Sequence, residues 1–217
     1  MNLKLALLAA GLAVASSGAS AAIVTLSGAT VDFSFDNSFL SQVNSKYNGW
    51  DLVGNELSFL PNDLYADSGS KPVVFAQIPS IKIVAKSGYA IDNLRLQEDG
   101  YYFQTENAEV SAYAGFTVNG VLNPFSASIG EEEFDKWSID QTVNLDSVKE
   151  AKFKVLNILK AKLTNGTDFD FAYIDKNSVK ISANTSTIIA PVPVPGAIWM
   201  FGSAFAGFLV SRRSKQA

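Results

Sequence analysis

The side chains best suited to acid–base or metal chemistry in this sequence are carboxylates. Three consecutive glutamates occupy positions 131–133 and Asp135 follows them, while Asp168 and Asp170 lie two apart, so that a strand projects both from one face. Two carboxylates at a fixed separation can cleave a glycosidic bond, and carboxylate oxygens bind calcium. However, the sequence has no D-x-D-x-D-G loop, and acidic residues are ordinary on solvent-facing surfaces. A hydrolase and a calcium site stay open as alternatives, and we expect no catalytic and no metal-binding residues.

The sequence contains no cysteine and no histidine. This composition excludes thiol and imidazole nucleophiles, a histidine base, and zinc sites built from these side chains. It also excludes disulfides, so packing and hydrogen bonds must hold the fold together even in an oxidising compartment. With 47% apolar and 18% charged residues, a chain of 217 residues suffices for one domain with a core. We expect a non-enzymatic protein without a cofactor.

Aromatic side chains offer a second kind of chemistry, because their faces stack on sugar rings. The candidates are Trp50, Tyr101, Tyr102, Tyr113 and Trp137. Since Tyr101 and Tyr102 are neighbours, a strand through them sends one ring to each face. The alternative for every one of these side chains is packing in the core or at its rim.

Charge is distributed unevenly along the chain. All 21 acidic residues lie between Asp32 and Asp175, whereas four of the 17 basic residues lie in the two terminal segments. The middle of the chain therefore has 13 basic and 21 acidic side chains, a net charge of −8. An acidic body repels polyanions, so we expect no nucleic-acid partner.

The body of the chain shows a hydrophobic period of two, which is typical of half-buried strands. Pairs of turn-forming residues separate these runs, and many short strands with frequent turns favour an antiparallel β-sandwich of jelly-roll type. The alternating sets are Val31, Phe33, Phe35; Val110, Ala112, Ala114, Phe116, Val118; Phe169, Phe171, Tyr173; and Val179, Ile181, Ala183. The turn signals are Ser27-Gly28, Asn48-Gly49, Pro61-Asn62, Ser87-Gly88, Asp99-Gly100, Asn119-Gly120 and Asn165-Gly166.

Two local predictions follow from this pattern. Because Asn-Gly favours tight hairpins, the dipeptide at 165–166 predicts that residues 160–163 pair with residues 168–171. The stretch from 145 to 163 has apolar residues at both helical and strand spacings. For it we predict a short helical or turn segment at 146–150, followed by a strand.

The N-terminus has the three parts of a secretory signal peptide. Lys4 supplies a positive charge, an apolar stretch runs over residues 5–14, and Ala19-Ser20-Ala21 is a small-residue cleavage site. Cleavage there would make Ala22 the first residue of an exported chain.

The C-terminus combines an apolar run with a basic end. The 15 residues from 196 to 210 are uncharged and would span about 22 Å as a helix, against a hydrocarbon core of about 30 Å. Trp199 lies where an interfacial aromatic is expected. Arg212, Arg213 and Lys215 should stay cytoplasmic by the positive-inside rule, which places the body outside. We therefore predict a transmembrane helix at 196–211 with a membrane-stop tail, the same orientation that the signal peptide indicates.

This tail resembles the PEP-CTERM sorting signal of Gram-negative bacteria: a proline motif, a hydrophobic helix and terminal arginines, in that order. The resemblance implies processing by an exosortase, a membrane-embedded transpeptidase, followed by release or display at the cell surface. It also implies a setting of exopolysaccharide and biofilm. A valine stands where the family's triplet often has glutamate. The motif residues are Val192, Pro193, Val194 and Pro195.

The predicted organisation has four segments. They are a signal peptide at 1–21, an all-β ectodomain at 22–183, a spacer at 184–191 and a sorting signal at 192–217. The expected function is that of an exported, non-enzymatic surface or matrix protein. A carbohydrate-binding module, with extracellular polysaccharide as partner, is the alternative.

Overall fold

The computed structural model describes residues 22–38, 46–165 and 169–188. All of these except Ile188 belong to one compact unit that ends at Thr187. They form thirteen strands, and every strand pairing is antiparallel. In chain order the strands are β1 (Ile23–Ser27), β2 (Val31–Asp36), β3 (Tyr47–Val53), β4 (Glu56–Pro61), β5 (Tyr65–Asp67), β6 (Val73–Ala85), β7 (Tyr89–Gln104), β8 (Ala108–Val118), β9 (Val121–Ser126), β10 (Phe134–Val148), β11 (Glu150–Leu163), β12 (Ala172–Asp175) and β13 (Ser178–Thr187).

The strands form two sheets, as an antiparallel sandwich requires. The first sheet has the order β1-β2-β6-β11-β8-β9. In the second sheet β7 is central: β10 pairs along one edge, while β13 and then β12 pair along the other. Strands β4 and β3 extend the sheet beyond β13, and β5 extends it beyond β12. The predicted all-β class is confirmed for the described residues.

The core lies between the two sheets and follows the predicted alternation. The inward sets on β2, β8 and β13 are buried, as their period of two predicts. On β11 the odd-numbered residues from 151 to 161 are buried and the even-numbered residues face outward. The largest fully buried side chains include Trp137, Tyr47, Tyr102 and Phe33.

A β-bulge in the second sheet reverses this alternation. Asp175 is the last residue of β12 and Ser178 pairs with Asp99 of β7, so two residues, Lys176 and Asn177, stand opposite Gly100. Before the bulge the even-numbered residues of this edge point inward, and after it the odd-numbered residues do. The bulge thereby turns the side chain of Lys176 into the core, where it is 4% exposed.

Several turn signals have different roles in the structure. Asn119 and Gly120 form the β8–β9 turn, with φ of 50° and 85°. In contrast, Asp99-Gly100 lies inside β7, and Asn48-Gly49 lies inside β3 at a register shift. The predicted helical or turn segment at 146–150 is wrong: Asp146 and Ser147, both with positive φ, lie in an irregular end of β10, and only Lys149 separates that strand from β11. The strand predicted to follow is confirmed as β11.

The predicted hairpin around Asn165-Gly166 is wrong. Residues 160–163 lie in β11, which pairs with β6 on one edge and β8 on the other. No edge of β11 is therefore open to residues 168–171. The chain instead crosses to the second sheet, where the backbone N–H of Thr105 donates to the carbonyl of Phe171.

The predicted terminal segments fall largely outside the described residues. They include the signal helix with Ala19 and Ala21, the sorting motif, the transmembrane helix at 196–211 and the basic tail. Among the described residues no helix is long and apolar enough to cross a membrane. Strand β13 continues to Thr187, so the predicted start of the spacer at residue 184 is wrong.

Candidate functional site

The alternation of β7 decides which of its aromatic residues reach solvent. Tyr102 points inward and is fully buried, whereas Tyr101 and Phe103 point outward. The prediction that Tyr101 and Tyr102 face opposite ways is confirmed. Trp137, on the neighbouring strand β10, is also in the core, and its indole N–H donates to the carbonyl of Asp175 over 2.8 Å. Tyr102 and Trp137 are therefore wrong as sugar-binding candidates.

The outer surface of the second sheet carries a continuous row of aromatic rings, which we call the aromatic face. It crosses four adjacent strands, β10, β7, β12 and β5, which places it over a width of about 15 Å at ordinary strand spacing. Phe103 is the register partner of both Phe134 and Tyr173, so these rings lie on one side of the sheet. The rings of the aromatic face are Phe134, Tyr101, Phe103, Phe171, Tyr173 and Tyr65.

The six rings of the aromatic face form three contacting pairs. Tyr101 stacks on Phe134 with centroids 5.8 Å apart and planes at 9°. Tyr65 stacks on Tyr173 at 5.6 Å and 27°, while Phe103 meets Phe171 at 6.2 Å in a tilted arrangement. Offset stacking of this kind fixes the rings, because each aromatic quadrupole restrains its neighbour.

Two lysines cap the ends of the row. The ammonium group of Lys71 lies 4.2 Å from the Tyr65 ring centroid, and that of Lys136 lies 5.4 Å from the Tyr101 ring centroid. Both contacts are cation–π interactions, which hold a charged hydrogen-bond donor beside Tyr65 and beside Tyr101.

A half-buried carboxylate lies within the row. The Oδ1 atom of Asp175 accepts the backbone N–H of Tyr101 at 2.7 Å. Burial raises the pKa of the Asp175 carboxyl, and burial together with the nearby Asp175 charge raises the pKa of the Tyr173 hydroxyl. The aromatic face thus combines ring surfaces with hydroxyl, carboxyl and ammonium groups.

Two phenylalanine rings of the aromatic face are exposed, and its other four rings are partly exposed. Phe134 is 64% exposed and Phe171 is 42% exposed. Phe169, just before it in the chain, is 93% exposed. Aromatic rings gain by leaving water, so a cluster left in solvent with a polar rim is typical of a binding surface.

The acidic cluster lies next to the end of β7, where the backbone N–H of Gln104 donates to the carbonyl of Glu133. Glu131 and Glu133 line an open cavity of about 530 Å³ together with Gln104, which follows Phe103 in β7. Within the described ranges no three acidic side chains are placed to hold a metal ion. Asp170 accepts hydrogen bonds from Thr105 and Asn107, while Asp168 lies outside the described residues.

The other predicted aromatic residues lie elsewhere. Trp50 is partly buried and meets Phe35 edge-to-face at 6.2 Å. Tyr113 is 40% exposed on the outer side of the first sheet, with the Lys160 ammonium 5.3 Å from its ring.

Of the five aromatic residues proposed from the sequence, only Tyr101 belongs to the aromatic face. The alternating DFDFAY run at 168–173 contained a signal for two of the missing rings, Phe171 and Tyr173.

Comparisons with known proteins add little to this geometry. No protein-family model matches the sequence, and the search of curated proteins found no match. Among solved structures, the CBM22-1 xylan-binding domain from Paenibacillus barcinonensis Xyn10C is weakly similar, at 12% identity and a TM-score of 0.20. The similarity covers 56% of this chain and 86% of that domain. A similarity this weak carries no functional argument.

Proposed function

We propose that this protein is an exported, non-enzymatic surface or matrix protein whose β-sandwich binds polysaccharide through the aromatic face. The observation that carries the proposal is the row of three aromatic pairs across four strands, in which Phe134 and Phe171 are exposed and the other rings are partly exposed. The C–H groups of a sugar ring carry partial positive charge and lie favourably on the negative face of an aromatic ring. A row of such rings suits an extended chain of sugars better than a small molecule.

The polar groups around the rings complete this type of site. Lys71 and Lys136 offer ammonium donors at the two ends of the row. Asp175 offers a carboxylate between them, and the cavity at the end of β7 has glutamates in its wall. Sugar hydroxyls both donate and accept, so they can pair with each of these groups. Because the body has a net charge of −8, we expect neutral polysaccharides to bind better than acidic ones.

The terminal segments are the basis for the proposed export and sorting of the protein. The signal-peptide pattern sends the chain across the inner membrane of a Gram-negative bacterium. The PEP-CTERM-like tail then anchors it transiently by its helix until an exosortase acts at the proline motif. Release or surface display would bring the aromatic face to extracellular polysaccharide. A matrix protein without a glycan ligand is the second candidate, and it predicts no saturable binding.

Binding is tested on the full chain with two probes, a neutral β-glucan and the host's own extracellular polysaccharide. Replacing Tyr101 and Phe134 together by alanine removes one stacked pair from the row. At about 0.5–1.5 kcal/mol for each ring beyond simple area burial, binding should weaken about 5- to 100-fold. Affinity electrophoresis or calorimetry measures this change.

The matched control is Tyr113→Ala, which removes an exposed ring from the opposite sheet. It should leave binding unchanged. Equal losses in both variants, or saturable binding that survives the double substitution, would rule out the aromatic face as the polysaccharide site. Circular dichroism and melting temperature establish that each variant is folded.

A further inference from the structure

An amine, a carboxylate and a carboxamide meet in the centre of the sandwich. Lys176 comes from the bulge after β12, Glu98 from β7 and Asn157 from β11 of the opposite sheet. The Lys176 Nζ atom lies 2.5 Å from Glu98 Oε2 and 2.7 Å from Asn157 Oδ1. Neither side chain of the ion pair has any exposed surface, and Asn157 is also fully buried.

Burying these two ionisable side chains costs free energy. Lysine and glutamate are almost never fully buried, because removing two charges from water costs more than a simple pair recovers. The surrounding side chains offer little compensation: the Trp137 ring lies 5.2 Å from Nζ, and Glu98 Oε1 has no hydrogen-bond partner among the residues that the structure describes. A buried ion pair with an unpaired oxygen is poor stabilisation by itself.

The surroundings favour the uncharged forms of both groups. Burial raises the pKa of the Glu98 carboxyl and lowers the pKa of the Lys176 ammonium, against the mutual attraction of the two charges. Transfer of one proton from Nζ to Oε2, along their short hydrogen bond, removes both charges. The product is a neutral amine, which has a free electron pair and is a nucleophile.

We propose that Lys176 and Asn157 form an intramolecular isopeptide bond, with Glu98 transferring the protons. The Nζ atom of Lys176 attacks the side-chain carbonyl carbon of Asn157, and a new C–N bond forms. The bond from that carbon to Nδ2 then breaks. Nδ2 leaves as ammonia, which carries the proton released by the attacking amine and delivered through Glu98. One amine and one carboxamide thus become one secondary amide and one ammonia molecule, without any oxidant or outside reactant.

The geometry brings the reacting atoms together before the reaction. The Oδ1 atom of Asn157 is already in contact with Nζ. The carbonyl carbon that Nζ would attack is bonded to this oxygen, at about 1.2 Å. Asn157 Nδ2 donates to the Tyr47 hydroxyl at 3.2 Å, which fixes the orientation of the carboxamide. Holding two reactants in this way replaces a bimolecular encounter by an intramolecular step. The unpaired Oε1 atom of Glu98 is then available to the leaving group.

The bond would join the two sheets covalently through the core. Asn157 belongs to the first sheet, and Lys176 follows a strand of the second. The chain has no cysteine, so disulfides cannot provide such a link. Unlike a disulfide, an amide is not cleaved by reducing agents. This inference is independent of the proposed polysaccharide binding.

Tryptic peptide mapping of the folded full chain tests the proposal directly. Without the bond, trypsin releases VLNILK (155–160) and LTNGTDFDFAYIDK (163–176) as separate peptides. With the bond, Lys176 is acylated and is not cleaved. VLNILK then stays attached to LTNGTDFDFAYIDKNSVK (163–180), at the summed mass of the two peptides less one ammonia. Recovery of only the separate peptides from folded protein would overturn the proposal.

Variants assign the roles of the individual groups. Lys176→Arg and Glu98→Gln should each abolish the linked species, while Lys180→Arg, a matched surface substitution in the same peptide, should retain it. Asn157→Asp should give a linked peptide of the same mass as the wild type, because water leaves in place of ammonia. Linked peptide in Glu98→Gln at the wild-type yield would overturn the role of Glu98. Peptide mapping of the wild-type chain tests the bond by itself, even if a variant does not fold.

Discussion

Replacing Gly100 with alanine should destabilise the domain strongly, because three atoms already occupy the space of the new methyl group. A Cβ built at Gly100 would lie 2.1 Å from the carbonyl oxygen of Asp175. It would also lie 2.6 Å from Nε1 and 2.8 Å from Cε2 of the Trp137 indole. The bulge at Lys176 accounts for this close approach, because it places the Asp175 carbonyl next to Gly100 of β7. The Trp137 indole N–H donates to the same carbonyl.

The expected cost combines two effects. Overpacking a filled core costs about 1–3 kcal/mol, and separating the Trp137 N–H from its buried acceptor costs about 1–3 kcal/mol. Because a single shift causes both, we expect a loss of about 2–5 kcal/mol in the free energy of unfolding. At about 2–4 °C per kcal/mol for a domain of this size, the melting temperature should fall roughly 4–20 °C.

Urea unfolding followed by tryptophan fluorescence measures the change, and Gly115→Ala is the matched control. Gly115 is also a strand glycine, but a Cβ there would first meet Leu122 Cδ1 at 3.2 Å, the movable end of a flexible side chain. That variant should stay within about 1 kcal/mol of the wild type. If Gly100→Ala were no less stable than Gly115→Ala, the packing of Trp137 against the bulge would not be as described.

Three further predictions concern a turn, a surface ion pair and the tail. Gly120→Ala should lose about 1–2 kcal/mol, measured by urea unfolding, because its φ of 85° is strained for alanine although no atom lies within 4 Å of the new Cβ. The hydrogen bond from Arg95 holds the pKa of the Asp140 carboxyl below its ordinary value. The pair therefore stabilises the fold at pH values above the unfolded pKa of about 3.9. This stabilisation is lost as the pH falls through the lower pKa of the folded state. Since both side chains are over a third exposed, Asp140→Asn should cost at most about 1 kcal/mol near neutral pH and nothing in strong acid; a constant difference in urea midpoint across this range would contradict the assignment. Replacing Pro193 and Pro195 together by alanine should leave the tail uncleaved in the host, measured by intact mass and terminal sequencing of the membrane, surface and medium fractions; unchanged processing would show that the motif is not read.

Strands could be predicted from the sequence because a hydrophobic period of two reflects the geometry of any half-buried strand. The sets on β2, β8 and β13 needed no knowledge of their partners. The run at 168–173 shows that the pattern does not predict which face of a strand is buried. Its aromatic residues alternate as predicted, yet Ala172 and Ile174 are the buried ones. The period gives two faces, and only pairing with β5 and β7 decides which of them meets the core.

Pairing errors have a similar cause. The Asn165-Gly166 signal is local, whereas the edges of β11 are filled by β6 and β8, from distant parts of the chain. Asp99-Gly100 likewise reads as a turn because glycine is rare inside strands. Its actual role, leaving room opposite a bulge, depends on residues more than seventy positions away.

The sequence by itself determined the all-β class, the positions of β2, β8 and β13, the absence of thiol and imidazole chemistry, and the acidic charge of the body. These features depend on local periodicity and composition, which need no tertiary contact. Only the tertiary structure decided that six rings from separate segments form one aromatic face, and that Lys176 meets Glu98 and Asn157 in the core. Both depend on register and on a single bulge. A shift of one residue turns a strand over, and no local pattern records where that shift falls.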